Sequence, residues 1–490
     1  MRTILLTVSV LGCLAFVSNA EPAPQPNILF IAVDDLNDWI GCLDGHPQAL
    51  TPNIDRLAAR GVLFTNAHCA SPACRPSRAA LLTGMMPDKT GVWSNESKSL
   101  ERQVPDAIKL PVPFAKAGYR TMGTGKLNHG RDDAGFEEYV YVEQRWGPIS
   151  RKLADYTKQE LPSKGTDNPR HVVEDSTGRE VVLPLNRMPS DRAPNRKGGE
   201  SFDWGPWDVP DSDFGDTQIT DWAIEKVKEA GADPVFLAVG YYRPHIPLWA
   251  PQRFFDRFKD DPGKLPPFKK DDLDDLSTTA KVWALEAVTA GAHETVLKHN
   301  QWREAVEGYL ACVSYIDHEV GRLLEALDRS PMKNNTIIVF WSDHGWHLGE
   351  KEHWGKWTGW ERSTRVPLII VPPKDQAEEF APAGSRCEQP VGLIDLFPTL
   401  TDLCGVEAPE GLSGQSLVPL LRDPDKVTGR GLVTMFDPGN YSVRTDRWRY
   451  ILYSDGNEEL YDLKADPHEW DNLAGKKEYL DVAKKLRGQL

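Results

Sequence analysis

Short apolar runs recur along the chain and alternate with segments in which apolar residues return at helical spacing. Residues 27–33 (NILFIAV) and 336–341 (TIIVFW) are continuously apolar, which is typical of strands buried on both faces of a sheet. Ionisable pairs follow closely after both runs. Shorter apolar runs predict further strands at 62–64, 235–239 and 366–371, and one more strand that leads into Gly125 and Lys126.

Helical spacing of apolar residues predicts the elements between these strands. Helices are expected at 54–61, 105–120, 217–230 and 303–327. Strands that alternate with helices indicate an α/β fold with a mostly parallel central sheet. In such sheets ligands bind in the crevice beyond the carboxyl ends of the strands, so we expect the functional site there.

Two segments depart from this alternation. Residues 131–215 are polar and rich in Pro, Gly and Asp, which is typical of a functional or mobile segment and not of a core. From about residue 426 the pattern changes to short strands at 431–435, 441–444 and 448–453, followed by the stretch 459–463 and a final helix. We therefore predict a large domain over 21–425 and a small C-terminal subdomain over 426–490.

Residues 1–20 (MRTILLTVSVLGCLAFVSNA) have the pattern of a secretory signal peptide. Arg2 supplies an early positive charge, an apolar run follows, and this run is short for a membrane span. Cys13 suggests lipoprotein processing as an alternative, but the apolar stretch before it is very short. We therefore expect cleavage after Ala20 and export to the periplasm or the extracellular space, with no membrane as a partner.

The chain has a formal net charge of −15 at pH 7. This excess of acidic residues argues against nucleic acids and anionic membranes as partners. An anionic substrate would have to be attracted by a local pocket of cations, because the surface as a whole repels it.

Residues 74–84 are the most informative stretch of the chain. They read CRPSRAALLTG, and this pattern, C-x-P-S-R-x-x-x-L-T-G, resembles the signature of type I sulfatases. A lone cysteine before a helix is more often a small buried thiol, but the four fixed residue types followed by L-T-G argue against that interpretation. Near the C-terminus, LYDLKADPHEWDNLA resembles the closing motif of the same family. The resemblance extends from Asn27 to about Leu473.

The resemblance implies an alkaline phosphatase-like α/β fold. In this fold a large, mostly parallel mixed sheet lies between helices, and a small C-terminal α+β subdomain contains an antiparallel sheet. The resemblance also implies that a formylglycine-generating enzyme oxidises Cys74 to formylglycine during maturation. One hydroxyl of the hydrated aldehyde attacks sulfur in this family, and the other expels sulfate by re-forming the carbonyl. The expected activity is therefore sulfuric ester hydrolysis.

The residues after the two long apolar runs suggest a metal site. Asp34 and Asp35 follow the first run, and Asp343 and His344 follow the later one. Adjacent acids at the end of a buried strand repel each other and resist desolvation, so a bound cation is expected there. Taken alone, two such acids are more often part of a solvated turn. Oxygen ligands favour Ca²⁺ or Mg²⁺.

In the family, two such pairs and formylglycine coordinate one divalent ion, usually Ca²⁺. The resemblance therefore assigns Asp34, Asp35, Asp343, His344 and the oxidised Cys74 to the metal. Most relatives have Asn at the last of these positions, and His344 departs from that pattern in the same way as a branch that resembles iduronate-2-sulfatase. Because a nitrogen ligand is less typical of Ca²⁺, Mg²⁺ stays an alternative.

Cleavage of a sulfate ester places negative charge on the leaving oxygen and the sulfuryl oxygens, so positioned cations should stabilise it. The resemblance supplies five catalytic candidates besides Cys74: Arg78, Lys126, His129, His245 and Lys356. Arg78 lies about one helical turn after residue 74 and is expected to reach back to it. Lys126 and His129 would orient and deprotonate the formylglycine hydrate, while His245 and Lys356 would contact the sulfate and assist departure of the leaving group.

The stretches YLACVSYID (309–317) and SDHGWHLGE (342–350) resemble the iduronate-2-sulfatase branch. This suggests, as substrate, an O-sulfate on a sugar of a sulfated polysaccharide or glycosaminoglycan. Trp346 and His347 are candidates for a substrate subsite, with a structural role as an equal alternative. The aromatic residues within 201–210 are candidates for stacking on sugar rings.

Two functional alternatives stay open. A hydrolase with the same nucleophile can act on phosphate mono- or diesters, and a non-catalytic glycan-binding relative would keep Cys74 as a thiol. The chain has seven cysteines, of which Cys13 lies in the predicted signal peptide. If Cys74 is converted, an odd number remains, and Cys387–Cys404 is the one candidate for a disulfide.

Overall fold

The structure is a computed structural model that describes residues 25–490 except for 131, 143–144, 150–170, 190, 192–200, 232 and 288–289. The predicted signal peptide, residues 1–20, lies outside the described residues. Among the helices of the described ranges, none is both long enough and apolar enough to cross a bilayer.

Strands and helices alternate along most of the described chain. The strands are β1 (Asn27–Val33), β2 (Val62–Phe64), β3 (Ala67–His68), β4 (Arg120–Gly125), β5 (Glu138–Val140), β6 (His171–Glu174), β7 (Glu180–Leu183), β8 (Trp204–Trp207), β9 (Val235–Tyr241), β10 (Leu248–Pro251), β11 (Thr336–Ser342), β12 (His347–Leu348), β13 (Trp354–Gly355), β14 (Arg365–Val366), β15 (Leu368–Val371), β16 (Ser385–Cys387), β17 (Val391–Gly392), β18 (Leu432–Asp437), β19 (Asn440–Arg444), β20 (Trp448–Leu452) and β21 (Glu458–Asp462). The α-helices are α1 (Pro52–Ala58), α2 (Cys74–Thr83), α3 (Pro87–Thr90), α4 (Leu100–Gln103), α5 (Pro111–Lys116), α6 (Gly215–Lys228), α7 (Gln252–Phe255), α8 (Thr278–Leu285), α9 (His293–Lys298), α10 (Trp302–Asp328), α11 (Glu361–Thr364), α12 (Leu396–Cys404), α13 (Val418–Arg422) and α14 (Leu480–Arg487).

An eight-stranded sheet forms the centre of the molecule, with the strand order β16-β2-β15-β11-β1-β9-β4-β5. The strands from β11 to β5 are parallel, whereas β15 is antiparallel to both of its neighbours, β11 and β2. The predicted mostly parallel mixed sheet is therefore confirmed. In the register between β1 and β11, Val33 lies opposite Ser342, so the residues that follow both strands lie side by side.

Strand β1 shows why a continuous apolar run is needed at the centre of the sheet. Leu29, Ile31 and Val33 pack into a core that also contains residues of α1, α6 and α10. The alternate residues Ile28 and Phe30 pack into a second core with residues of α2, α5 and α12. Helices thus cover both faces, and burial of each large apolar side chain contributes roughly 1.5–3 kcal/mol.

The helix predicted over 105–120 is much shorter in the structure, where only Pro111–Lys116 (α5) is helical. Proline has no backbone N–H and its ring clashes with the preceding helical turn. Pro111 and Pro113 are therefore tolerated only in the first turn, and the helix cannot extend towards residue 105. The other three predicted helices are present as α1, α6 and α10, with ends shifted by a few residues.

The C-terminal strands β18 to β21 form a separate antiparallel sheet, as predicted for the small subdomain. Several hydrogen bonds attach this sheet to the large domain; among them, Met435 N–H donates to Ala70 O at 2.9 Å, Thr434 Oγ1 donates to Cys69 O at 2.6 Å, and Ser442 Oγ donates to Gly359 O at 2.7 Å. The boundary at residue 426 stays a prediction.

The tryptophans within 201–210 belong to the core. Trp204 and Trp207 are 3% and 1% exposed. The ring of Trp204 stacks on Trp354 with a centroid distance of 6.2 Å, and Trp207 meets Trp249 edge-on at 5.1 Å. The prediction that these rings stack on sugars is wrong, because their surfaces are buried against other aromatic side chains.

Cys387 and Cys404 are free thiols, so the predicted disulfide between them is wrong. Cys387 ends the edge strand β16, and Cys404 ends helix α12. Both side chains lie in the second core, where each fills space as a small apolar group.

Asp203 ties the chain before β8 to two other segments of the large domain. Its carboxylate is fully buried and accepts four hydrogen bonds. Three come from the backbone N–H groups of Leu185 at 2.9 Å, Asn186 at 2.8 Å and Trp204 at 2.9 Å, and one from Trp249 Nε1 at 3.0 Å. One side chain thus satisfies donors from three separate parts of the sequence.

We expect Asp203→Ala to lower the free energy of unfolding by roughly 3–5 kcal/mol, because four buried donors lose their acceptor. Chemical denaturation followed by tryptophan fluorescence measures this change. Asp208→Ala is the matched control at an exposed position of the same segment and should change the value by less than about 0.5 kcal/mol. Equal denaturation midpoints for the two variants would contradict the assignment.

Candidate active site

Ionisable residues gather at one edge of the central sheet, where neighbouring parallel strands end. Asp34 and Asp35 follow β1, and Asp343 and His344 follow β11 beside it. Lys126 follows β4, two strands away on the other side of β1. Asp35 N–H donates to Asp343 Oδ1 at 3.1 Å although 308 positions separate the two residues. The strand order therefore brings together the ionisable pairs that the sequence analysis singled out.

Cys74 lies against these strand ends as the first residue of α2. Its Sγ is 3.0 Å from Lys356 Nζ, 3.4 Å from His344 Nε2 and 3.6 Å from Lys126 Nζ. The N-terminus of the helix adds partial positive charge at this point. Burial raises the pKa of the Cys74 thiol despite the two lysines beside it. The unmodified thiol is therefore a poor nucleophile near neutral pH.

Each lysine is paired with one of the carboxylates that follow β1. Lys126 Nζ donates a hydrogen bond to Asp34 Oδ2, and Lys356 Nζ donates to Asp35 Oδ1 at 2.6 Å. Burial by itself lowers the pKa of both lysines, but the carboxylates raise it above the usual value. Both ammonium groups thus stay charged while they contact the sulfur of Cys74.

Arg78 supplies a third buried cation. Its Nε donates to Asp343 Oδ2 at 2.8 Å, and its Nη2 donates to Asp34 Oδ1 at 3.4 Å. A third donor, Nη1, donates to the backbone carbonyl of Lys126. The hydrogen bonds of Arg78 thus go to the residues that follow the strands, and the expected contact with residue 74 is not among them. Arg78 thereby fixes the start of α2 against β1 and β11.

The donor set fits a divalent cation. One ligand atom from each of Asp34, Cys74, Asp343 and His344 lies within 4.8 Å of the others. Asp35 Oδ2 is buried and has no hydrogen-bond partner in the described part of the chain. Unpaired carboxylate oxygens of this kind are costly to bury unless a cation lies beside them.

The tautomer of His344 agrees with a ligand role. Its Nδ1 lies 3.0 Å from Gly345 O, which can only accept, so we assign the proton to Nδ1. Nε2 then presents a lone pair towards Asp35 Oδ1 at 3.3 Å and Asp343 Oδ2 at 3.5 Å. Lone pairs that face carboxylates repel each other unless a cation lies between them.

Two further histidines lie near this cluster. His245 Nδ1 donates to Ile246 O at 2.7 Å, and its Nε2 lies 3.9 Å from Asp35 Oδ2. His129 is half-buried on the loop after Lys126. Burial and the ammonium of Lys126 lower the pKa of His129 well below its usual value. His245 thus lies beside the carboxylates, and His129 lies close enough to Lys126 for the ammonium charge to lower its pKa.

Aromatic rings line the cation cluster. The ring of Tyr242 lies 4.9 Å from Lys126 Nζ, and that of Trp346 lies 5.4 Å from Lys356 Nζ. His347 is structural, since its ring nitrogens lie 3.1 Å from a backbone carbonyl and from a threonine hydroxyl. The sequence analysis missed Tyr242. Its position directly after β9 was the available signal, because the site lies at the carboxyl ends of strands.

The family model described as Sulfatase matches residues 26–406. The chain belongs to the sulfatase family. A second model, N-sulphoglucosamine sulphohydrolase, C-terminal, matches residues 349–490. The sulfatase is therefore a sulfuric ester hydrolase, as the motif at residue 74 predicted, and this family implies a divalent metal and formylglycine in general.

Curated relatives support the predicted branch. A protein described as a sulfatase from Formosa agariphila is 35% identical over 473 residues, which cover 95% of this chain and 86% of the relative. Iduronate 2-sulfatase of Mus musculus is 33% identical over 435 residues, which cover 81% of this chain and 72% of the relative. These two matches confirm the family and the iduronate-2-sulfatase-like branch.

A solved structure supports the predicted fold. It is described as a complex with its substrate D-glucosamine-2-N,6-O-disulfate, and it matches the sulfatase with a TM-score of 0.71 at 23% identity. The match covers 95% of this chain and 96% of the other. The alkaline phosphatase-like fold is thus confirmed over nearly the whole length.

We expect Lys356→Met to lower kcat/KM for nitrophenyl sulfate by about 100- to 1,000-fold, because it removes a cation beside the reacting position. Lys464→Met is the matched control, since that side chain is 64% exposed and pairs with Asp446. Steady-state kinetics measure the effect, and circular dichroism verifies that both variants are folded. Equal kcat/KM values for the two folded variants would exclude Lys356 from the site.

Proposed function

We propose that the sulfatase hydrolyses an O-sulfate on a sugar of a sulfated polysaccharide or glycosaminoglycan. The observation that carries this proposal is the contact of Cys74 Sγ with both Lys126 and Lys356 beside the acidic strand ends. Cations on two sides of a nucleophile can bind the non-bridging oxygens of a sulfate group. The sugar assignment is supported by the similarity to an iduronate 2-sulfatase.

A formylglycine-generating enzyme is proposed to convert Cys74 before folding is complete. Support comes from the motif itself and from burial, because Cys74 is 0% exposed in the folded chain and out of reach of another enzyme. The hydrated aldehyde would supply a hydroxyl nucleophile, which the thiol with its raised pKa does not. The ammonium groups at 3.0 and 3.6 Å from Sγ lie where they can stabilise negative charge on an oxygen at that position.

One divalent ion, Ca²⁺ in preference to Mg²⁺, is proposed to bind Asp34, Asp35, Asp343, His344 and the oxidised residue 74. Asp35 Oδ2, which lacks a hydrogen-bond partner within the described ranges, and the close approach of the ligand atoms support this set. When bound, the ion supplies Lewis acidity to the sulfuryl oxygens. Three carboxylates already face three buried cations, so a divalent ion would make the site net positive and favourable for an anionic ester.

The other candidates have tasks that their contacts allow. Lys126 and Lys356 bind the sulfuryl oxygens, and Arg78 holds the carboxylates in place through its two ion pairs. His245 and His129 are the candidates for moving protons. Burial lowers the pKa of both well below the usual value, so both imidazoles are neutral near pH 7 and can accept a proton. We assign His129 to the nucleophile, and His245, whose Nε2 faces the metal-site carboxylates, to the leaving oxygen.

Export is part of the proposal. Residues 1–20 would direct the sulfatase to the periplasm or the extracellular space, where sulfated polysaccharides are accessible. The mature chain would then consist of a catalytic domain over 21–425 and a C-terminal subdomain over 426–490, whose sheet supports the large domain through the contacts of Met435 and Ser442.

The nucleophile assignment predicts a specific modification. Mass spectrometry of the peptide that contains residue 74, from protein made with a formylglycine-generating enzyme, should show formylglycine. That protein should hydrolyse nitrophenyl sulfate faster than nitrophenyl phosphate and release sulfate from a panel of defined sulfated oligosaccharides. Cys74→Ala should lower turnover by more than about 1,000-fold, because it removes the nucleophile.

Two results would overturn this assignment. Faster turnover of the phosphate ester would indicate a phosphoesterase. An unmodified thiol in protein from the native host, together with glycan binding but no turnover, would indicate a binding protein. Cys404→Ala is the matched control, because that thiol is buried in the core and lies outside the site.

Removal of the metal should destabilise the fold as well as abolish turnover. Chelation leaves the buried carboxylates without their cation. A metal ion present at 100 times its Kd stabilises the folded state by about 2.7 kcal/mol, and chelation removes this stabilisation. We expect a lower melting temperature after chelation, recovery on addition of Ca²⁺, and one divalent ion per chain by elemental analysis. Asp343→Asn should weaken all three effects, whereas Asp208→Asn at an exposed position should not. A melting temperature unaffected by chelation would contradict the site.

A further inference from the structure

Arg145 is a cation beside the active site that the reaction described above does not use. Its Nε is buried and has no hydrogen-bond partner among the described residues. The guanidinium carbon lies 5.3 Å from the ring centroid of Trp146, so an aromatic face covers one side of the group. A guanidinium presents five N–H donors, and a buried donor without an acceptor is unfavourable.

Arg243 fixes the position of Arg145 relative to the catalytic candidates. The side chain of Arg243 is 1% exposed, and its guanidinium donates to three backbone carbonyls. These belong to Arg145 at 3.1 Å, His245 at 3.4 Å and Trp249 at 3.0 Å. The backbone of Arg145 is therefore held in register with the turn that carries His245.

The charge of Arg145 reaches the wall of the site. Burial raises the pKa of Tyr242, and Arg145 is the strongest of the charges that oppose this shift. The ring of Tyr242 lies 4.7 Å from that of His245 and 4.9 Å from Lys126 Nζ. Arg145, whose carbonyl accepts from Arg243 next to Tyr242, thus lies on the side of the site that includes Tyr242 and His245.

We propose that Arg145 is a specificity residue that binds a second anionic group of the saccharide, next to the sulfate that is cleaved. This inference rests on the proposed function, since it names the substrate class of the same site. The second anion is either the carboxylate of a uronic acid or a second sulfate. Both present several anionic oxygens that accept hydrogen bonds from a guanidinium. Such a cation is needed because the chain as a whole carries a net charge of −15.

Two matched pairs of substrates separate these sources. The first pair is glucuronic acid 2-sulfate and glucose 2-sulfate, which differ in the carboxylate. The second pair is glucosamine-2-N,6-O-disulfate and glucosamine 6-sulfate, which differ in the second sulfate. Nitrophenyl sulfate is the probe without a second anion. The enzymes compared are the formylglycine-containing wild type, Arg145→Gln, Arg145→Lys and the matched control Arg179→Gln, whose side chain is 51% exposed.

The wild type should prefer the dianionic member of at least one pair. Arg145→Gln should lower kcat/KM for that member by about 10- to 100-fold, mainly through KM, because a charge-assisted hydrogen bond is lost. The same variant should have a kcat/KM for nitrophenyl sulfate within about twofold of the wild-type value. Arg145→Lys should restore part of the preference, and Arg179→Gln should match the wild type.

The proposal is overturned if the wild type prefers neither dianionic member. It is also overturned if Arg145→Gln lowers kcat/KM equally for both members of a pair and for nitrophenyl sulfate, since that is the result of a purely structural role. Absence of turnover on every probe, including nitrophenyl sulfate, overturns the proposed function itself and this inference with it. If Arg145→Gln loses the preference only in the first pair, the second anion is a carboxylate. If it loses the preference only in the second pair, the second anion is a sulfate.

Discussion

Burial of like charges at the end of the central sheet is the constraint on which the rest of the structure depends. Asp34, Asp35 and Asp343 are fully removed from water, and each is paired with a lysine or an arginine from another part of the chain. Removing one partner of a buried ion pair costs about 3–5 kcal/mol, because the remaining charge is uncompensated. Strands β1 and β11 and helix α2 are therefore stable in their positions only together.

The same ion pairs prepare the site for an anionic ester. Lys126 and Lys356 are long and flexible side chains, but their hydrogen bonds to carboxylates fix both ammonium groups around residue 74. Cations that are already oriented need no reorganisation when negative charge develops, and this is the main source of electrostatic stabilisation in enzymes. The charges that hold the fold together are thus those that we assign to the chemistry.

Local signals in the sequence were sufficient for the sheet centre and the site core. The apolar runs of β1 and β11, the ionisable pairs after them and the motif at the start of α2 each lie within a few residues. Pairing across long distances was not predictable, such as Arg78 with Asp343, 265 positions apart. Nor did any local pattern show that Trp204 and Trp207 are covered by other rings, since that depends on which segments pack together.

Charge outside the pocket sets a further condition on the substrate. The chain has a formal net charge of −15 at pH 7. An acidic surface repels a polyanion over about 8 Å at physiological ionic strength. Inside the site, Lys126, Lys356 and Arg78 balance the three carboxylates, and the divalent ion that we propose would give the opposite local sign. A sulfated sugar is therefore attracted only at short range, where its orientation is already defined. Selection between sugars must then depend on a few fixed cations at the site wall. Arg145 has the position that this role requires, and its Nε is a donor without an acceptor in the described part of the chain.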